Sequence, residues 1–381
     1  MKRRNFIKIL SALSATFYFS RKNTGSCFAS PEKKWSLEDF RKNGFHIQKA
    51  RHFKTLDNNL VKCGLCPNRC VIPPGMRGRC NARMNSEGKL YSLVYGNLSS
   101  ISVDPIEKKP VFHLLPGTYA LSVSTAGCVL SCKYCQNWQI SQSLPEEVCN
   151  YHITPAELVK KALELNCDSI AYTYNEPTVF FEFMIDTAKL AAEKGLKNVM
   201  VSCGYINQEP LEELIEVMDI IKVDLKGFSE EFYRTITGGH LEPVKQTIET
   251  LAKNKKLLDI VCLIIPGLND DTETCTKMYE WLKKIAGPLP SLFLSRYYPT
   301  YKLRNIGPTP VSKLENLREL AISKGLKYVY IGNVSGNEGE DTFCHNCGKL
   351  LIDRLGYQIV TNKLSDGKCP YCKTKIPGIW R

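Results

Sequence analysis

Cys128, Cys132 and Cys135 lie at the spacing C-x3-C-x2-C within AGCVLSCKYCQNWQIS, residues 126–141. Three thiolates so spaced can hold three irons of a cubane [4Fe-4S] cluster and leave the fourth iron without a protein ligand. A small molecule can then take that iron. The alternative is a zinc ion completed by a fourth ligand from elsewhere, with His113 or Cys149 as candidates. Two polar constellations further along the chain suit the same chemistry. Asn175-Glu176-Pro177 follows one β-rich run, and Val223-Asp224-Leu225-Lys226 ends another. Alternation along a strand points Asp224 and Lys226 to one side, so a carboxylate and an ammonium can converge on a zwitterionic ligand. The plain alternative is a salt bridge at a strand end, of little energetic weight. Ser202-Cys203-Gly204-Tyr205 and Pro266-Gly267 are further candidates for pocket walls.

The chain has 17 cysteines, eleven of them in three clusters. In a chain of 381 residues this clustering argues for metals rather than for the disulfide framework of a small secreted domain. Cys344-x2-Cys347 and Cys369-x2-Cys372, with 21 residues between them, have the spacing of a closed four-cysteine zinc ribbon, with LLIDRLGYQIV as a hairpin arm. A second iron-sulfur cluster is the rival there. Cys63, Cys66, Cys70 and Cys80 suit zinc or an auxiliary cluster equally. Cys27, Cys149, Cys167, Cys203, Cys262 and Cys275 read as small core or loop residues.

The elements that must position these groups follow from periodicity. Short β-rich runs at 119–125, 169–174, 197–202, 220–225, 258–265, 291–296 and 326–332 alternate with amphipathic stretches. Thr154-Pro155-Ala156-Glu157 and Ser312-Lys313-Leu314-Glu315 read as capping boxes. Such alternation predicts an α/β fold with a parallel sheet, a (β/α)6-type partial TIM barrel, with the cysteine triplet in the first βα loop, where barrels place their chemistry. The expected division is residues 1–30 as a leader or tether, 31–118 as a Cys-rich flank, 119–335 as the barrel and 336–381 as the ribbon-like module. Hydrophobic residues make up 43% and charged residues 23%, an ordinary globular balance that argues against disorder and against a multi-span membrane protein. Net charge is +13, yet no recognition-helix or RNA motif accompanies it, which argues against nucleic acid. KRRNFIKILSALSATFYF has a basic head and a short apolar run, too short for a membrane span; it reads as an export-type signal or a surface tether.

Taken in order, KCGLCPNRC, GRCNAR, VDPIEKKPVFHLLPG, AGCVLSCKYCQNWQIS, YNEPT, VDLKGF, SRYYPTYK and DTFCHNCGKLLIDRLGY resemble the radical S-adenosylmethionine enzymes of the AmmeMemoRadiSam system, a branch related to pyruvate formate-lyase activating enzymes. The resemblance implies that S-adenosylmethionine binds the open iron of a [4Fe-4S] cluster on Cys128, Cys132 and Cys135, and is cleaved reductively to methionine and a 5'-deoxyadenosyl radical. Tyr134 matches the aromatic position near the adenine. Asn175 and Glu176 match a segment that contacts the amino group, although Tyr174-Asn175 stand where relatives carry two glycines. Asp224 and Lys226 match an Asp-x-Lys segment that helps position the cofactor, and Ser202 lies at the same face. Implied partners are a low-potential donor such as flavodoxin or ferredoxin, and Memo-like and AMMECR-like proteins; by analogy the target is a glycine of a partner protein. The competing readings are an iron-sulfur protein of electron transfer or redox sensing without radical chemistry, and a zinc-stapled scaffold. The leading Arg3-Arg4 segment resembles a twin-arginine export signal, which fits poorly with chemistry that draws on cytoplasmic supplies.

Overall fold

The computed structural model describes residues 35–380. The export-like segment, residues 1–30, and Cys27 within it lie outside those residues.

The core is an eight-stranded sheet. Its strands are β1 (Ser100–Pro105), β2 (Tyr119–Ser124), β3 (Ser169–Tyr172), β4 (Lys197–Ser202), β5 (Ile220–Asp224), β6 (Leu257–Ile264), β7 (Ser291–Arg296) and β8 (Tyr328–Gly332). They lie side by side in chain order. From β2 to β8 all neighbours are parallel, while β1 runs antiparallel to β2, with Ser100 opposite Ser124 and Pro105 opposite Tyr119. The crossovers carry α1 (Pro155–Glu164), α2 (Phe181–Glu193), α3 (Gln208–Val217), α4 (Leu241–Lys253), α5 (Thr272–Ala286) and α6 (Val311–Ser323). The sheet is therefore an open barrel of seven parallel strands, with an antiparallel edge drawn from what the sequence assigns to the Cys-rich flank.

Period-two alternation sorts the side chains. Leu121, Val123, Ile170, Tyr172, Met200, Ile221, Val223, Ile260 and Cys262 turn outward into the large core shared with the helices. Ala120, Ala171, Val199 and Ile220 turn inward onto Ile106, Val111 and Leu114. The two faces bury different layers because a strand exposes alternate residues to opposite sides. Val261, Phe293, Tyr328 and Tyr330 meet Phe112 and, from the C-terminal module, Leu351 and Ile352. Thus residues 106–118 and the C-terminal module floor the barrel at the end where its parallel strands begin.

Helix ends follow local chemistry. Thr154 caps α1 as its sequence predicts, with the Glu157 amide donating to its hydroxyl at 3.3 Å and its own amide donating to the Glu157 carboxylate at 2.8 Å. The box predicted at Ser312 does not form: Pro310 is the N-cap and α6 starts at Val311, two residues earlier than a box on Ser312 would start it, and Glu315 accepts from Asn337 instead at 2.9 Å. Proline at the preceding position fixes an extended entry that already sets the start. In front of the barrel, Phe53–Thr55, Val61–Cys63 and Val71–Ile72 form one small sheet; Gln48–Lys49, Arg83–Ser86 and Lys89–Ser92 form another. Behind it, β9 (Leu350–Leu355) and β10 (Gln358–Asn362) form the predicted hairpin arm. Among the described residues no helix is long and apolar enough to cross a membrane.

Candidate active site

The triplet lies in the loop that leaves β2, at the end of the sheet opposite the floored one. The loop is pinned on several sides. Gly127 has φ of +92°, and a Cβ there would stand 2.2 Å from the Cys80 carbonyl oxygen, so only glycine lets the two segments meet. The Asn68 side chain donates to the Val129 carbonyl at 2.8 Å, and the amides of Ser131 and Lys133 donate to the carbonyls of Thr237 and Ile236 at 2.9 Å. The Leu130 amide points at Cys128 Sγ at 3.5 Å and the Ser141 hydroxyl lies 3.2 Å from Cys135 Sγ. Burial pushes the thiols of Cys128 and Cys132 upward, that of Cys132 to about 11, and the neighbouring thiols and carboxylates add to it. Lys226 opposes that rise at Cys132, and a bound cation would favour the thiolates further.

Glu176 stands at the end of β3, 3% exposed, and its carboxylate is knitted into the next strand. Oε1 accepts from the Thr178 amide at 3.1 Å, the Thr178 hydroxyl at 2.6 Å and Ser202 Oγ at 2.8 Å. Oε2 accepts from the Cys203 amide at 2.7 Å. A carboxylate has about four lone-pair positions, so Oε2 keeps room for one more donor. The carboxylate is felt by both Cys128 and Cys203. Asn175 donates to the Gly127 carbonyl at 2.8 Å, tying the end of β3 to the cysteine loop. Tyr174 has φ of +68°, the left-handed conformation in which a glycine is at ease. Its hydroxyl donates to Asp104, its carbonyl accepts from Asn137 at 2.7 Å, and Lys109 Nζ stands 4.5 Å from its ring centre. These contacts hold the strained backbone that two glycines would take without cost.

On β5, Asp224 lies between two lysines. Lys226 donates to Oδ2 at 2.8 Å and Lys222 donates to Oδ1. Burial alone would raise the Asp224 carboxyl, but Lys222 and Lys226 outweigh it and hold it well below the usual carboxylate range. Burial likewise opposes charge on Lys226, and Asp224 more than restores it. Cys132, Tyr134 and Cys203 also act on Lys226, which places it beside the cysteine loop. Lys222 is a functional neighbour that the sequence reading misses. The signal was available: Lys222 and Asp224 are two apart on one strand and therefore share a face, and Lys226 continues the same spacing just past the strand end.

The structure thus brings Cys128, Cys132, Cys135, Tyr134, Asn175, Glu176, Ser202, Asp224 and Lys226 to one end of the sheet. Two buried polar atoms among them have no partner among the described residues, the Tyr134 hydroxyl and Asn175 Oδ1. Unpartnered buried polar atoms are rare in folded proteins unless a ligand supplies the bond. The residues fit a cluster with a polar cofactor against it. They do not fit zinc completed by His113, whose ring nitrogens pair with the Pro377 carbonyl and the Tyr330 hydroxyl, both at 2.7 Å, on the floor of the barrel. The Tyr134 ring packs beside Phe232, with centres 6.4 Å apart.

The C-terminal cysteines form a different kind of site. The sulfurs of Cys344, Cys347, Cys369 and Cys372 all lie within 4.8 Å of one another. Cys344 to Cys372 is 3.6 Å and Cys347 to Cys369 is 3.7 Å. Zinc-sulfur bonds of about 2.3 Å in a tetrahedron put sulfurs about 3.8 Å apart. The four thiols are spaced for one closed site that can bind a metal but has no place for substrate.

Comparison with known proteins places residues 122–282 in a match to the family model described as the radical SAM superfamily. The chain is 42% identical to an uncharacterized protein of Methanocaldococcus jannaschii over 87% of its own length and 99% of the relative's. It is 25% identical to the pyruvate formate-lyase-activating enzyme of Clostridium pasteurianum, over 51% of this chain and 86% of that one. Among solved structures, a domain of the pyruvate-formate lyase-activating enzyme of Bacteroides vulgatus superposes with a TM-score of 0.40 at 18% identity, covering 43% of this chain and 99% of the domain.

Proposed function

We propose, from the premise that the chain belongs to the radical S-adenosylmethionine superfamily, that it abstracts a hydrogen atom from a partner protein in the manner of glycyl-radical activation, within an AmmeMemoRadiSam-type system. The chain is an enzyme of radical S-adenosylmethionine cleavage; its target is the new part of the reading. When bound, a [4Fe-4S] cluster supplies the electron that splits the sulfonium of S-adenosylmethionine into methionine and a 5'-deoxyadenosyl radical.

The observation that carries the reading is the convergence of three thiols, one carboxylate and one lysine-flanked carboxylate at the ends of β2, β3 and β5. Cys128, Cys132 and Cys135 would hold the cluster. Glu176 Oε2 is the remaining acceptor for the amino group of S-adenosylmethionine. Lys226 spends one of its three N–H bonds on Asp224 and has the others for a carboxylate. The Tyr134 hydroxyl, without a partner among the described residues, would pair with an edge of the adenine. Asp224 keeps Lys226 charged in a buried site, which is a positioning role. The floor made by residues 106–118 and the C-terminal module closes the far end of the barrel, so a radical formed at the cysteine end is shielded from water on that side. The activating-enzyme relatives support a protein target.

The target is tested by isotope. Memo-like and AMMECR-like proteins, produced with deuterated glycine, are offered in turn to the reduced enzyme with S-adenosylmethionine. Deuterium in 5'-deoxyadenosine with one of them supports the reading. 5'-deoxyadenosine free of deuterium with both, while a small-molecule pool does transfer label, contradicts it.

A further inference from the structure

The cysteines in front of the barrel hold an unassigned site. We infer that Cys63, Cys66, Cys70 and Cys80 bind a second iron-sulfur cluster, closed by four protein thiolates and built against the loop of the first. The site stands independently of the radical reaction.

Geometry separates it from the C-terminal site. Among the described residues, only Cys344, Cys347, Cys369 and Cys372 bring three or more sulfurs within 4.8 Å of one another. The four front sulfurs are spread more widely, as ligands on separate irons are and ligands on one zinc ion are not. They surround a cavity whose wall is completed by Leu65, Ile72, Val129 and Val179 and by one charged side chain, Arg83. Apart from Asn68 and Arg83 the wall between the thiols is apolar, the setting of a buried cluster.

Arg83 is the second observation. It is 1% exposed, and its Nη2 donates to Glu182 at 2.6 Å. Nε and Nη1, equally buried, have no hydrogen-bond partner among the described residues. Two unpaired nitrogens of a buried guanidinium, with three N–H groups between them, on the wall of a cavity ringed by thiols, are donors awaiting an anion. A cluster with four thiolates carries net negative charge and sulfide acceptors, and hydrogen bonds to sulfur are among the levers that set its potential.

Contact with the first site is direct. The Cys80 carbonyl oxygen comes within 2.2 Å of where a Cβ on Gly127 would be, and Val129, next to Cys128, lines the front cavity. Arg79 donates to the Gly238 carbonyl at 2.7 Å, and Asn207, after β4, donates to the Cys66 carbonyl at 3.1 Å. A fully ligated cluster has no iron for S-adenosylmethionine, so its chemistry is one-electron transfer. It takes one electron from a low-potential one-electron donor and passes that electron to the cluster on Cys128, Cys132 and Cys135; no bond is made or broken. This last role rests on the proposed radical chemistry, whereas the presence of the cluster does not.

The full chain, reconstituted anaerobically with iron and sulfide, is expected to contain more of both than one cubane accounts for. After reduction with dithionite it should show two paramagnetic signals, only one of which changes when S-adenosylmethionine is added. Joint replacement C128A/C132A/C135A should remove the responsive signal and leave the other with its iron and sulfide. C70A/C80A should do the reverse, with the C-terminal metal unchanged as the control for folding. Iron and sulfide for one cubane only, beside about two zinc ions per chain, would overturn the inference, and the unsubstituted chain alone is enough to show it. Reduced protein freed of reductant and then given S-adenosylmethionine separates the role: with the relay, the unsubstituted chain releases up to about two 5'-deoxyadenosines and C70A/C80A about one. Equal yields, with both clusters present at the start in the unsubstituted chain, would remove the relay and leave the cluster standing.

Discussion

Asp224 shows how much of this site depends on a single side chain. Its two oxygens are divided between Lys222 and Lys226, so its removal leaves two buried ammonium groups facing one another. Asp224→Asn is expected to weaken S-adenosylmethionine binding about tenfold, the worth of one charge-assisted contact, with the iron content unchanged. Glu176→Gln should do the same while keeping the bonds from Thr178 and Ser202 in place. Titration calorimetry on the cluster-loaded protein measures both, and an unaltered affinity in both variants would remove this face as the cofactor's seat. The sign of the acid response also follows. Because Asp224 is held below its ordinary value, its contribution to stability is complete above about pH 4 and is lost as pH falls through the folded value, so it adds to acid sensitivity and not to alkaline sensitivity. At this scale the triplet, Glu176 and the Asp-x-Lys pair were legible in the sequence, since residue type and two-residue spacing determine them. Lys222 was legible too but needs the alternation extended one step back. The inward bonding of Glu176 was not, because its partners Ser202 and Cys203 lie on another strand.

At the scale of elements, the candidate metal sites are separated by the length of the barrel. The triplet follows the end of β2, and the C-terminal thiols sit beside Tyr328, at the start of β8. Cys132→Ala is therefore expected to abolish the barrel cluster and leave the C-terminal metal in place, while Cys347→Ala should lose that metal and keep the cluster. Metal analysis of the two variants decides it; joint loss in either would show that the sites are coupled. Chelation of a metal held by Cys344, Cys347, Cys369 and Cys372 should loosen β9 and β10 before the barrel strands, read as earlier amide exchange over 350–362, because the hairpin is short and such a metal would be its staple. The alternation of strand and helix made the βα units legible, and the two C-x2-C pairs made the module legible. The antiparallel edge β1 was hidden, because Ser100–Pro105 carries exposed residues and sits in a cysteine-rich stretch. Tyr174 was legible only as a departure from two glycines; its left-handed backbone depends on Asp104, Lys109 and Asn137, three partners distant in sequence.

For the whole molecule, the open barrel is completed by its appendages, with a floor at one end and cysteine-bearing loops at the other. The inner face carries charge as well as apolar layers. Asp259 of β6 is opposite Lys222 of β5, and burial raises its carboxyl to about 7, against the weaker pull of the Ser291 hydroxyl and Lys222. A carboxyl whose folded value is raised contributes fully below about pH 4 and is lost as pH rises through about 7. Stability should thus fall by up to a few kcal/mol between these limits, and Asp259→Asn should flatten that slope in urea unfolding followed from pH 4 to 8. An unchanged slope would place Asp259 outside the titrating set. None of this was readable in advance, since a lone aspartate within LDIVCLII gives no sign of what faces it across a barrel.

Function rests above all on the end of the barrel carrying Cys128, Cys132 and Cys135 being where S-adenosylmethionine is bound and cleaved. The decisive experiment is anaerobic: the reconstituted chain is reduced with dithionite, S-adenosylmethionine is added, and 5'-deoxyadenosine is quantified beside iron and sulfide. 5'-deoxyadenosine is expected from the unsubstituted chain and none from C128A, C132A or C135A. A chain with its cluster intact and reduced that forms no 5'-deoxyadenosine would refute that assignment.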